Sequence, residues 1–267
     1  LNAYNVANYT EDKCDVGRYN ANTAITVFKV LPNYDSFQKN LIYTEVIHGA
    51  NFIVDQAPRI KKLIQLYKPR EVVIDGNGAG IGLLDAMVLP STDPKTGESF
   101  PPYYTFNNEY HLPPEKKNES EEPIPEFNAI IYDIKAGASN DDLIHSNFFS
   151  QIHNGSVRFL AHERIVKDKL LQTEKGRKMS LYDRRVFLLP YEMTSRLMDE
   201  LNNLKLKPTG LQNQYKVDRI SHSIEKDRFS SLEYGLYRIK YYEDQAIKKR
   251  NRKKFGQYAF FSPRTRG

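Results

Sequence analysis

The sequence predicts an α/β protein whose mixed sheet is flanked by helices, and three observations predict it. Three strand-like segments rich in β-branched and aromatic residues follow one another within the first fifty residues, joined closely enough for an antiparallel meander. A helical segment then leads into the continuous apolar run "REVVID", and a helix between strands makes a parallel crossover. Finally, an amphipathic helix near the C-terminus needs a sheet on which to bury its apolar face. At 267 residues the chain is sized for a single domain, residues 1–267.

The elements follow in order. "LNAYNVANYT" is the first strand, the polar loop "EDKCDVGRYNA" leads to a second over Asn22 to Val30, and after the turn "PNYDS" comes a third in "NLIYTEVIHG". Ile60, Leu63, Ile64 and Tyr67 fall at i, i+3, i+4 and i+7, one face of a helix that stops before Pro69. "REVVID" is a buried strand and "GIGLLDAM" the helix after it. Eight of the fourteen prolines lie between Pro90 and Glu126, so an irregular insertion is expected there rather than a core element. "FNAIIYDIKA" returns to strand character, "NDDLIHSNFFSQIHNG" is a helix capped by Asn140 or Asp141, and "SVRFLA" is a short strand. "YEMTSRLMDELNNLKL" is helical, with Thr194 or Ser195 as its expected cap. The last helix starts near Asp227 and carries Phe229, Leu232, Leu236 and Ile239 on one face.

Composition narrows the function classes. Nothing approaches the roughly 18 apolar residues of a membrane span, and the N-terminus lacks the order of a signal peptide. The single cysteine, Cys14, excludes an internal disulfide and fits a reducing compartment. The chain begins at Leu1, so a piece of a longer protein is expected. Net charge is +6, and "KKRNRKK", Lys248 to Lys254, places six cations in seven residues within a basic C-terminal tail expected over about 245–267. Such a run suits phosphates, or is a solvated tail.

"VVIDGNGAGIGLLDAM" poses the central question of chemistry. A dinucleotide fingerprint needs G-x-G-x-x-G, but Gly76, Gly78, Gly80 and Gly82 alternate, and the third glycine of the motif would fall on Ile81 or Leu83. No G-K-[S/T] follows, so a P-loop is excluded. The glycines instead allow close backbone approach to a carboxylate at the strand end, Asp75. Ligand chemistry in open α/β sheets lies at such carboxyl ends. Asp75 could otherwise cap the next helix. Asp227, in the first turn of the last helix, is a second acid with the same two readings. Its neighbours Lys226 and Arg228 could reach DNA phosphates.

Taken together, "AYNVA" with its polar loop and "TAITVFKV", then "VVIDGNGAGIGLLDAM", then "KDRFSSLEYGLYRI" resemble in order the nuclease domain of the large terminase subunit of tailed bacteriophages, a ribonuclease H-like fold. The resemblance runs over most of the chain. It implies three acids, one from each segment, that hold two divalent ions, Mg²⁺ or Mn²⁺, for cleavage of double-stranded DNA during genome packaging. Two acids carry over as Asp75 and Asp227. The first would fall at Asn5, whose carboxamide lacks the anionic charge that hard cations favour. Either a nearby acid, Asp12 or Asp15, substitutes, or the chain carries an inactivating Asp-to-Asn change. The second is favoured because the loop lacks the rigidity of a strand.

Under this resemblance Asp75 bridges both ions, Asn5 stands beside it and Asp227 holds the second ion, with Asp218, Glu225 and His222 as candidates for a supporting role. Lys226, Arg228, Lys248, Lys249, Arg250, Arg252, Lys253 and Lys254 are the expected DNA contacts. The implied partners are double-stranded DNA, an ATPase domain preceding this one, a portal protein and a small terminase subunit, in the host bacterial cytoplasm. The other histidines make no H-E-x-x-H spacing, and no G-x-S-x-G appears. Two alternatives stand beside this reading: a non-enzymatic DNA clamp on the same fold, and a nucleotide-cofactor oxidoreductase, against which the glycine register argues.

Overall fold

In the computed structural model, residues 2–8, 22–33, 36–48, 51–114, 128–137, 140–208 and 215–258 are described, with backbone alone for 2–8, 215 and 251–258. The fold is mixed α/β, as expected. The strands are β1 (Asn2–Asn8), β2 (Thr23–Asn33), β3 (Ser36–Ile47), β4 (Glu71–Asp75), β5 (Ser91–Thr92), β6 (Ser99–Phe100), β7 (Tyr104–Thr105), β8 (Ala129–Ile134), β9 (Val157–Arg158), β10 (Leu204–Pro208) and β11 (Tyr215–Arg219). The helices are α1 (Ala57–Tyr67), α2 (Gly80–Met87), α3 (Asp141–His153), α4 (Glu163–Gln172), α5 (Glu174–Lys178), α6 (Leu181–Asn202) and α7 (Asp227–Tyr258).

The main sheet has the order β7-β8-β4-β1-β2-β3-β9. β1, β2 and β3 form the antiparallel meander, while β4 runs parallel to β1 and β8 parallel to β4. Strand alternation divides the buried side chains between two faces. Ile25, Val27, Val72 and Ile74 pack with α1 and α2, whereas Phe28, Val30 and Leu41 pack with Phe148 of α3, Leu197 of α6 and Phe229, Leu232, Leu236 and Ile239 of α7. All four apolar positions expected on the last helix are therefore buried. Each contributes about 1.5–3 kcal/mol by leaving water.

Helix α1 ends as expected: Lys68, just before Pro69, adopts a left-handed conformation with φ 50°, and its N–H caps the Ile64 carbonyl. α7 is fixed to the sheet by polar contacts as well. Arg238 donates to Glu71 at the start of β4 (2.6 Å), lying 3.8 Å over the Tyr132 ring, and Glu243 accepts from Lys39 of β3 (3.1 Å).

Four expectations need correction. The Pro-rich insertion is not all irregular: β5 pairs with β6, β7 joins the main sheet beside β8, and Phe100, Tyr103, Tyr104 and Thr105 are buried. Aromatic side chains between the prolines anchor it to the core; its residues 115–126 lie outside the described residues. The helix expected from Tyr191 begins at Leu181, capped by Ser180, whose hydroxyl accepts from the Asp183 N–H. Thr194 and Ser195 do not cap it, because their hydroxyls donate back to the carbonyls of Pro190 and Tyr191. The "NLKL" end of that segment is strand, paired with β11. Last, the basic run is not a tail through residue 258: it forms the final turns of α7. No helix among the described residues is long and apolar enough to cross a membrane.

Candidate functional site

Two contacts fix how α7 crosses the sheet. Tyr234 bonds to Asp75, the last residue of β4, while Arg238 bonds to Glu71, the first. The helix therefore runs against the strand direction, and Asp227, two turns or about 10 Å before Tyr234, belongs beyond the carboxyl end of β4. Contacts at Asp227 agree. Asn22, just before β2, donates to Asp227 (3.4 Å) and to Glu225 (3.0 Å), and His48, just after β3, is 3.2 Å from Asn22. Asp75 and Asp227 thus share the end of the sheet at which β1, β4 and β8 finish.

Asp75 is held by its surroundings. It is 6% exposed, accepts from the Asn77 N–H (3.1 Å), and is bonded also to Tyr234 and to the Ala136 N–H. It does not cap the next helix, which starts at Gly80 after Ala79. Burial pushes its pKa up to about 7, Asp133 adds to the rise, and the donated hydrogen bonds oppose it. Asp227 is pushed up to about 6, first by burial and then by Glu225, against Asn22 and the charges of Arg228 and Arg219. Among the described residues neither acid forms an ion pair. An isolated buried carboxylate without a cation is costly, and partial neutralisation is the response.

The glycines act by close approach. Gly76 donates to the Ile134 carbonyl (3.0 Å), and the carboxylate of Asp133 occupies the space where a side chain at 76 would stand. Gly82 gives the same room to the Phe52 ring, and Gly78 has a positive φ of 54°. Asp133 was not among the expected residues. It is buried and accepts from Asn108 through Oδ2 (2.6 Å), while among the described residues its Oδ1 has no hydrogen-bond partner. An acid inside the apolar run "AIIYDI" was the available signal.

Position 5 lies on β1 opposite Thr26 of β2 and Val73 of β4. Thr26 bonds to Ser231 of α7 (3.0 Å), and Val73 packs with Tyr234. By backbone register Asn5 sits between the strand that ends in Asp75 and the strand under the first turns of α7; its side chain is not described, and Asp12 and Asp15 lie outside the described residues.

Four further expected residues fall elsewhere. Arg228 is buried and donates to Glu200 of α6 (2.6 Å), which also accepts the Phe229 N–H (3.1 Å) and so caps α7. Lys226 is likewise only 8% exposed, so neither cation offers the open face expected of a phosphate contact. Asp218 pairs with Lys207, and that bond, with the Arg219 N–H, holds its carboxyl at about 2. His222 lies 3.2 Å from Arg219. Lys248, Lys249 and Arg250 are exposed; the side chains of Arg252, Lys253 and Lys254 are not described.

Among the described residues no three His, Cys, Asp or Glu side chains come together as a metal cage. Mg²⁺ does not need one, since it is commonly held by one or two carboxylates with waters and substrate phosphates. The all-oxygen donors of Asp75 and Asp227, both buried, fit such a hard cation better than zinc. Comparison of the chain with protein-family models, with curated proteins and with solved structures finds no match.

Proposed function

We propose that the chain is a ribonuclease H-like nuclease domain that cleaves double-stranded DNA with two divalent ions, Mg²⁺ or Mn²⁺, as in the large terminase subunit of tailed bacteriophages. The observation that carries this is the placement of Asp75 and Asp227, both buried and without cationic partners among the described residues, at the same end of a sheet built as a meander plus parallel strands. Asp75 and position 5 would hold one ion and Asp75 with Asp227 the other. Bound divalent ions would supply an activated water and charge for the leaving oxygen. The chain's own part is to fix Asp75 through the Asn77 N–H and Tyr234, to keep Asp227 at the head of α7, and to keep both carboxylates away from bulk water.

Asn5 lowers the charge of this site, so activity is weakened or absent in the chain as it stands. A preceding ATPase domain, portal, small subunit and bacterial cytoplasm belong to the same proposal. The oxidoreductase alternative is disfavoured by the loop itself: Asp75 and Asp133 flank Gly76, and the N–H groups of Gly80, Ile81 and Gly82 are bonded within the turn, leaving a pyrophosphate with carboxylates in place of donors. Restoring the acid by Asn5→Asp and following supercoiled plasmid with Mn²⁺ tests the proposal. Nicking that disappears on adding Asp75→Asn supports it; an intact plasmid supports the non-enzymatic clamp.

A further inference from the structure

We infer that α4, α5 and the first turns of α6 form a docking surface for the phosphate backbone of duplex DNA, a site apart from the basic end of α7. The inference rests on the nucleic-acid reading above and names where the duplex lies.

These helices contribute little to the core. α4 buries no side chain, α5 buries only Gly176, and Ile165, Leu181, Tyr182 and Val186 are exposed. Their outward surface is therefore free for contact outside the fold. Their charge identifies it. Residues 163–187 hold eight cations and four acids, a net +4 where the whole chain has +6. Arg164, Lys167, Lys169, Lys175, Arg177 and Arg185 are exposed, and among the described residues none of the six forms an ion pair. By contrast, the cations that tie elements of the core together have acid partners, Arg59 with Glu45, Arg238 with Glu71, Arg228 with Glu200 and Lys39 with Glu243. A cluster of unpaired cations attracts a polyanion, and each phosphate it neutralises releases counterions.

Geometry connects the cluster to the candidate site. α6 is continuous from Leu181 to Asn202, and its Glu200 holds Arg228 and the Phe229 N–H next to Asp227. Arg185 lies fifteen residues before Glu200, about 22 Å along the helix. That is less than one turn of duplex, about 34 Å. Along α6 the cluster thus begins within one duplex turn of the contact that holds the start of α7.

The test measures binding apart from cleavage. Fluorescence anisotropy of a labelled duplex about three turns long, in EDTA over a range of salt, is compared for the full chain, for the triple variant Arg164→Gln, Lys167→Gln, Lys169→Gln, and for a second triple variant, Lys175→Gln, Arg177→Gln, Arg185→Gln. The expected result is weaker binding by either variant, with the slope of log K against log salt reduced by about 0.9 for each phosphate that is no longer neutralised. The second variant serves if circular dichroism finds the first unfolded. Wild-type slope and affinity in both variants overturn the docking surface and leave the nuclease proposal standing. A reduced slope in the variants, combined with no cleavage by the Asn5→Asp chain, overturns the nuclease proposal and supports the surface. Failure of the unaltered chain to bind duplex overturns both.

Discussion

Asp133 lies against Gly76 so closely that a Cβ at position 76 would stand 1.9 Å from its Oδ1. Residue 76 follows the candidate acid, and β8 lies beside β4, so this contact sets how the chain leaves the strand at the candidate site. Gly76→Ala should therefore move Asp133, lowering stability by about 1–3 kcal/mol as overpacking does. Denaturant melts measure this, and Gly137→Ala, where nothing lies near the Cβ and φ is not left-handed, is the comparison without such a contact. Equal loss in the two variants would mean that the Asp133 contact is unimportant.

Stability should fall as pH rises through the candidate site's titration range. Asp75 is raised from 3.8 to about 7 and Asp227 from 3.8 to about 6, so the folded chain binds more protons than the unfolded one between about pH 4 and 7. Each stabilising contribution is present at low pH and is lost as the folded form ionises. Asp75→Asn should then stabilise the metal-free protein at pH 8 by on the order of 2–4 kcal/mol, with little effect near pH 4. Thermal melts at the two pH values provide the comparison, and destabilisation by the variant at pH 8 would contradict the assigned burial.

Arg228 should prove structural. Its guanidinium and Glu200 are both buried, and burial raises the Glu200 pKa to about 7 despite the neighbouring charge of Arg228. Arg228→Leu removes one partner of a buried pair, costing about 3–5 kcal/mol, and the double change with Glu200→Leu should cost less than the single one. Duplex binding by the folded fraction should keep its salt dependence. Weakened affinity at unchanged stability would return Arg228 to the DNA surface.

Arg238 ties α7 to the start of β4 and so helps to set where Asp227 stands. Because Glu71 accepts two bonds from it (2.6 and 3.2 Å) and Tyr132 lies beneath it, Arg238→Lys should still lose about 1–3 kcal/mol, since lysine cannot supply the planar fork. Hydrogen exchange would locate the loss where α7 meets β4; a loss confined to other elements would contradict this role.

The elements that bury one face were legible in the sequence. Ile60, Leu63 and Ile64 mark α1, Phe229, Leu232, Leu236 and Ile239 mark α7, and the continuous "VVID" marks a strand covered on both sides. α4 and α5 left no such pattern because they bury almost nothing, and periodicity records burial rather than helix formation. β5, β6 and β7 have two residues each, too few to show alternation. In the candidate site, Asp75 was visible because a glycine loop follows an apolar strand. Asp133 and Tyr234 were not singled out, since their proximity to Asp75 arises from sheet register and helix direction. The inward placement of Arg228 was equally hidden, because Glu200 is twenty-eight residues away.

The proposed sharing of divalent ions by Asp75 and Asp227 is tested most directly by titrating Mn²⁺ into the Asn5→Asp chain at pH 7.5 in a calorimeter. Saturable binding is expected, weakened at least tenfold by Asp75→Asn and by Asp227→Asn, each in a folded protein. Absence of binding, or binding indifferent to both substitutions, would contradict it.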